Sequence, residues 1–364
     1  MNILFSSLAG QNQTQSLELR HVLQRLGHSI FFLPTPTSTA GPRPRFWIER
    51  GFVDDIALEA LIAEAPLPSD LFLYVEPRGL IPRGMEKSPI PTACILCDTH
   101  LWLEARQHLA RFFDHVFLYH RNYLVHFSEH PAGHVHWLPY ACDLEVFKPV
   151  GMTRDLEVAF VGQPMLATTR RAAIIQQLEA RYRVNEQRYH LREEIPAVYA
   201  RAKIVLNMPL KDDLNFRTFE AMSCGALLLT RRVNNGQEIL FQEGVHFAAY
   251  ADEKEMFEKI DHYLTHEAER EAIAAAGLAE VQAHHRLEQR ISEMLENIAA
   301  APDLAAPIRR MTPAQVDREY AWLYEYWRSP EPGLRLVREA RLTGRQWLPL
   351  LPPAIRSVLR MLFR

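Results

Sequence analysis

The stretch Asn207-Met-Pro-Leu-Lys-Asp-Asp-Leu-Asn-Phe-Arg-Thr-Phe-Glu-Ala-Met-Ser-Cys-Gly-Ala-Leu-Leu-Leu-Thr230 decides how this chain is read. Residues 203–207 form an apolar, β-branched run and predict a strand. Asp212-Asp213 reads as loop. Asn215 is a good N-cap for a short helix over 215–224, and Gly225 stops it. Residues 226–230 are the next strand. A helix that starts just past the carboxyl end of a parallel strand exposes amide N–H groups and is a ready anion site. Arg217, in the first turn, can pair with a diphosphate through two N–H donors. Glu220, three residues on, shares its face and can accept hydrogen bonds from ribose hydroxyls. The plain alternative is a surface Arg217–Glu220 pair, which spacing alone favours.

The same alternation runs outward in both directions. Toward the N-terminus, residues 3–5, 30–33, 71–75, 93–97, 116–119 and 136–138 are predicted strands. A helical stripe (Leu17, Val22, Leu23, Leu26) ends at Gly27, and further helical segments lie near 100–111 and 122–129. Residues 34–44 read as a surface loop. Residues 139–149 carry a proline at each end and read as a linker. The pattern then restarts with a strand over 156–161, a helix over 168–181 and helices over 253–265 and 267–298. The expected fold class is α/β, with two doubly wound parallel sheets in tandem. The expected boundaries are 1–140, a linker at 141–150, 151–300, and a helical, Arg-rich segment over 301–364.

Composition narrows the function. The chain has 364 residues, 48% apolar and 23% charged, with a net charge of −3. That balance predicts no nucleic-acid partner, since neutralising phosphates needs a basic footprint. The four cysteines include a Cys94/Cys97 spacing, but on a strand these two point to opposite faces, so all four are expected to be free thiols in a reducing cytoplasm. No secretory signal and no run of eighteen apolar residues is present. Residues 333–364 carry seven arginines against one glutamate, interleaved with Trp347, Leu350, Leu351, Leu359 and Phe363. That is the composition of an interfacial segment, so the expectation is peripheral contact with the inner membrane face; the alternative is a terminal helix packed back on the body.

The quoted stretch strongly resembles the donor-binding motif of GT-B glycosyltransferases, and most closely the bacterial group similar to the spore-maturation protein CgeB. That group's pattern, Asn-x-Arg-x-Phe-Glu-Ala-Met-Ala-Cys-Gly, stands here as Asn215-Phe-Arg-Thr-Phe-Glu-Ala-Met-Ser-Cys-Gly225. Glu238 to Gly244, Tyr250 with Lys254 to Leu264, and His285-Arg-Leu-Glu-Gln-Arg290 resemble the segments that follow it. The resemblance is specific over roughly 139–298 and weak before that.

It implies two facing Rossmann-like domains with an interdomain cleft and a nucleoside-diphosphate sugar, most simply a UDP-sugar, as donor. Asn215 and Arg217 would hold the diphosphate and Glu220 the ribose or sugar. Gly162 and Gln163, which follow the first strand of the second half, would lie near the donor, with Asn207 and Thr218; Arg170 reads as a phosphate ligand or an ordinary helix-surface arginine, and Gly10, in the loop after the first strand, as a point of close backbone approach to a ligand or a plain strand-to-helix turn. A Glu-x7-Glu pair often spans this motif; position 212 here is Asp212. No Asp-x-Asp occurs, which favours metal-free chemistry with helix-start amides and basic side chains facing the leaving diphosphate.

The acceptor would lie on the N-terminal side. Asp98 and His100 follow the strand ending at Cys97 and are first candidates for the base; His120 and Ser7 are further acceptor-side candidates. With 16 histidines in the chain, a solvated loop histidine is the ordinary alternative. The expected function is transfer of a sugar to a cell-envelope glycan, lipid or protein. The competing expectations are a nucleotide-sugar epimerase or phosphorylase on the same fold, and a non-catalytic coat or scaffold protein.

Overall fold

A computed structural model describes residues 1–8, 14–35, 57–76, 81–99, 103–128, 134–162, 169–186, 190–209 and 212–326. Gly10, His100, Gln163 and the segment 333–364 lie outside the described residues. The chain divides into two compact units.

The first unit spans residues 1–119 and 123–137 and takes in the chain again from Met294. Its strands are β1 (Asn2–Leu8), β2 (Ser29–Thr35), β3 (Leu71–Val75), β4 (Thr92–Leu96), β5 (His115–Leu118) and β6 (Val135–Trp137). They form one sheet in the order β2-β1-β3-β4-β5-β6, and every pairing is parallel. β3, β4 and β5 are buried along their whole length, as in a sheet covered on both faces. Helices α1 (Thr14–Arg25), α2 (Leu58–Glu64) and α3 (Leu103–Ala110) connect them. The chain turns to opposite sides after β1, because β2 and β3 flank it, and such a switch point is where ligands bind in open α/β sheets.

The second unit comprises His120–Asn122 and Leu138–Glu293. Its strands are β7 (Leu156–Ala159), β8 (Ala202–Asn207), β9 (Leu227–Arg231) and β10 (Ala248–Tyr250), parallel in the order β10-β9-β8-β7. A parallel bridge from Val158 to Val184 adds a neighbour on the other side of β7. β7 is therefore this sheet's switch point. The helices are α4 (Thr169–Arg181), α5 (Ile195–Ala200), α6 (Phe216–Ser223), α7 (Gln237–Leu240), α8 (Glu253–Thr265), α9 (Glu267–His284) and α10 (Leu287–Ala300), and the last of these runs on into the first unit.

Several expectations change. The single helix expected over 267–298 is two helices, because the Cys142 backbone pairs into the break: its N–H donates to the His285 carbonyl and its carbonyl accepts from Leu287. Within the stretch expected as a linker, Cys142, Asp143 and Phe147 are buried. The helix expected near 122–129 is a 3-10 turn over Arg121–Phe127. The chain after 301 does not stand apart over its described part. Helix α11 (Pro313–Tyr326) places Val316, Tyr320 and Leu323 in the core of the first unit. Buried Asp114 ties this return down: it accepts from Thr92, from the Ala306 amide at 2.8 Å and from Arg309 at 2.9 and 3.0 Å. All four cysteines are buried free thiols, and burial pushes Cys94 and Cys97 well above the usual thiol range. No helix among the described residues is long and apolar enough to cross a membrane.

Candidate active site

Asn207, at the carboxyl end of β8 and only 1% exposed, is the hub of a polar cluster. Its Oδ1 accepts from Arg217 Nη1 at 2.7 Å and from Asn215 Nδ2 at 3.3 Å. Its Nδ2 donates to Asn215 Oδ1 at 3.1 Å and to Thr218 Oγ1 at 3.4 Å. Its carbonyl accepts from the Tyr250 hydroxyl at 2.9 Å. Asn215 takes the N-cap position of α6 with extended backbone, as its type predicts, but makes no side-chain cap. Its side-chain amide bonds to Asn207 instead, and the Thr218 N–H donates to the Asn215 carbonyl at 3.1 Å.

Arg217 lies against the end of the neighbouring strand. Its Cζ is 5.4 Å from the Phe160 ring centroid, and a Cβ on Gly162 would come within 3.1 Å of its Nη2. Only a glycine leaves the guanidinium this room. Phe160 is itself set by Asn185, which accepts from its N–H at 2.9 Å and donates to its carbonyl at 3.1 Å.

Arg171 on α4 joins this cluster from the other side. It donates to the Met208 carbonyl and lies 6.0 Å from the same Phe160 ring. Burial, and then the nearby charge of Arg217, lower its pKa. Arg170, which the sequence offers as either a phosphate ligand or a helix-surface arginine, is 74% exposed and pairs with Glu253 at 3.8 Å. One residue along a helix turns the side chain by about 100°, which decides between the two.

Glu220 is buried but does not pair with Arg217, although both stand on α6. Its Oε1 accepts from Arg192, whose guanidinium lies 4.2 Å over the Phe147 ring. Arg192 sits in a 3-10 turn ahead of α5 and has no signal in the sequence beyond its charge. Burial, and then the Glu220 charge, push the Cys224 thiol up to about 12. Arg217 and Arg171 stand together at the carboxyl ends of β7 and β8, which suits an anion.

His120 also belongs to the second unit. Its Nε2 is 2.8 Å from Asp213 Oδ1, and its ring meets Tyr140 edge-on, which in turn packs on Phe216 at 4.4 Å. Asp212 accepts from the Asn234 N–H at 2.6 Å and from Asn122 at 3.3 Å. Asp212 and Asp213, read as plain loop in the sequence, are therefore both held in hydrogen bonds. A cavity of about 870 Å³ opens beside them, lined by Asp212, Asn234, Gln237, Glu243 and Phe247.

In the first unit, Ser7 is buried near the end of β1 at the switch point. Asp98 is exposed, just past β4. It adopts a φ of 47°, unique among the described non-glycine residues.

Residues 147–296 match a family model described as glycosyl transferase-like. A comparison with curated proteins finds no match. Among solved structures, the chain is similar to sucrose-phosphate synthase from Thermosynechococcus elongatus, with a TM-score of 0.58 at 12% identity over 83% of this chain and 100% of that one. It is similar to Anabaena HepE in complex with UDP and glucose, with a TM-score of 0.57 at 13% identity over 82% of this chain and 100% of that one. It is also similar to a glycosyltransferase from Rickettsia africae, with a TM-score of 0.58 at 11% identity over 82% of this chain and 98% of that one. The fold is that of GT-B glycosyltransferases, and residues 147–296 are similar to the glycosyl transferase-like family.

Proposed function

We propose that this protein is a cytoplasmic, metal-independent glycosyltransferase that moves a sugar from a UDP-sugar to an acceptor hydroxyl of a cell-envelope glycan, lipid or protein. The observation that carries this reading is Arg217, lying over Gly162 at the switch point of the second sheet and hydrogen-bonded to Asn207. UDP is the favoured nucleotide because HepE, which shares the fold, was determined with UDP and glucose. The sequence likeness to the CgeB group supports the same class. The Arg-rich segment 333–364 fits an acceptor presented at a membrane surface.

In this reading Arg217 and Arg171 receive the diphosphate at the start of α6. The acceptor oxygen bonds to the anomeric carbon while the bond from that carbon to the diphosphate oxygen breaks. The electron pair leaves with the nucleoside diphosphate, and the fixed positive groups stabilise the charge that develops there. The acceptor proton passes to Asp98. Glu220, steadied by Arg192, faces the ribose or sugar hydroxyls. His120 and Asp213 orient the substrate as a hydrogen-bonded pair.

The test is a thermal-shift panel of UDP, GDP, TDP and CMP on wild type and Arg217→Met. UDP is expected to raise Tm in the wild type, since a ligand at a hundredfold its Kd adds about 2.7 kcal/mol, and the variant is expected to lose the shift. A panel in which no nucleotide moves the wild-type Tm overturns the reading.

A further inference from the structure

Glu76 follows β3 and is 1% exposed; Arg106, on α3, is 2% exposed. Arg106 Nε donates to Glu76 Oε2 at 3.2 Å. Both groups then grip the backbone of Cys97, just past the end of β4, through the peptide units on either side of its Cα. The Cys97 N–H donates to Glu76 Oε2 at 2.9 Å, and the Cys97 carbonyl accepts from Arg106 Nε at 3.3 Å. The residue that follows is Asp98, with its φ of 47°, and Thr99 after it is fully buried. Six other described residues have positive φ, and all are glycine. A turn needing only that conformation would be served by glycine at less cost. An aspartate held there, with its carboxyl exposed between two buried neighbours, points to a use for the carboxylate. A buried ion pair is weak evidence for stability, because desolvation offsets its attraction. Burial indeed pushes the Glu76 carboxyl up, against the opposing charge of Arg106.

We propose that Glu76 and Arg106 are positioning residues: they clamp the Cys97 backbone on both sides of its Cα, hold Asp98 in its left-handed conformation, and so build a site on the first unit for an acceptor hydroxyl. This rests on the glycosyl-transfer reading. The Asp98 carboxylate accepts the hydroxyl's hydrogen bond and then its proton, as the acceptor oxygen bonds to the anomeric carbon and the diphosphate departs with its electrons. Asp98 touches the substrate; Glu76 and Arg106 act only through it.

Two arms test this. The first needs no turnover. Asp98→Gly is expected to melt about 2–4 °C above Asp98→Val, because valine is an outlier at positive φ. In the Arg106→Lys background, where the clamp is broken, that gap is expected to close. Asp98→Val melting at or above Asp98→Gly overturns the clamp. The second arm reads UDP release from UDP-glucose with p-nitrophenyl glucoside as acceptor. Asp98→Asn keeps a residue tolerant of this conformation and is expected to lose at least about a hundredfold in kcat. Its UDP Kd is expected to stay within twofold. Glu76→Gln is expected to lose about tenfold in kcat and to shift the acidic limb of the pH profile; the double variant is expected to be no slower than Asp98→Asn alone. Additive losses, or normal kcat in Asp98→Asn, overturn the proposal. If Glu76→Gln does not fold, Arg106→Lys carries the same comparison. If wild type transfers no sugar, the glycosyl-transfer reading fails, and the acceptor role of Asp98 with it; the melting arm still decides the clamp.

Discussion

The Arg217 guanidinium occupies the space that a Cβ on Gly162 would need: built there, the Cβ stands 3.1 Å from Nη2 and 3.1 Å from Phe160 Cζ. Gly162→Ala therefore asks the far end of Arg217 and the edge of the Phe160 ring each to give by a few tenths of an ångström. Tm is expected to stay within about 2 °C, while UDP affinity falls about tenfold, or ~1.4 kcal/mol. Calorimetric titration of UDP into both proteins checks this; unchanged affinity would remove Arg217 from the diphosphate site.

Gly277 sits inside α9, where helix propensity alone favours alanine by about 1 kcal/mol. Packing reverses the sign. A Cβ there would run into the carbonyl oxygen of His246 and approach Met222 Sδ to 3.1 Å. Gly277→Ala is expected to cost about 1–3 kcal/mol. Denaturant unfolding distinguishes the two, since a stabilised variant would mean that α9 is not seated this closely.

Arg192 and Glu220 form a largely buried pair, with side chains 15% and 4% exposed. Arg192→Met leaves the Glu220 carboxylate without its counter-charge and is expected to cost about 3 kcal/mol. Adding Glu220→Gln is expected to recover much of that loss, which a double-mutant cycle measures. Additive losses would mean that the two side chains do not interact.

Acid sensitivity follows from two buried imidazoles. Burial, and then the His134 charge, lower His115 to about 4. Burial, and then Arg290, lower His285 to about 4. Both folded values lie below the unfolded one of about 6.5. Each group therefore contributes its stability in full above pH 6.5 and loses it as pH falls toward about 4. Tm is expected to drop through that window. His115→Phe, which retains the stacking on Phe117, is expected to flatten its share of the slope.

Much of the site was legible locally. Asn207, Asn215, Arg217 and Thr218 are close in sequence, and a strand, a loop and a first helical turn bring them together whatever surrounds them. Arg192 was not legible. It reaches Glu220 from 28 residues away, through a 3-10 turn that no periodicity announces. The choice of Arg171 over Arg170 was also hidden, because both stand in the first turn of a helix whose rotation is set by the sheet beneath it. The return of α11 left a trace in the spacing of Val316, Tyr320 and Leu323, but nothing local says which unit that stripe covers.

The sequence by itself determined the alternation of strands and helices, the parallel sheets and the motif at the start of α6, because buried parallel strands read as continuous apolar runs and caps act within a few residues. Tertiary structure alone decided the partners: Glu220 with Arg192, Asp213 with His120, Asp114 with Arg309, and Glu76 and Arg106 with the Cys97 backbone. Those contacts join residues 9 to 195 positions apart, and what selects them is the need to satisfy a buried polar group with whatever the fold brings beside it.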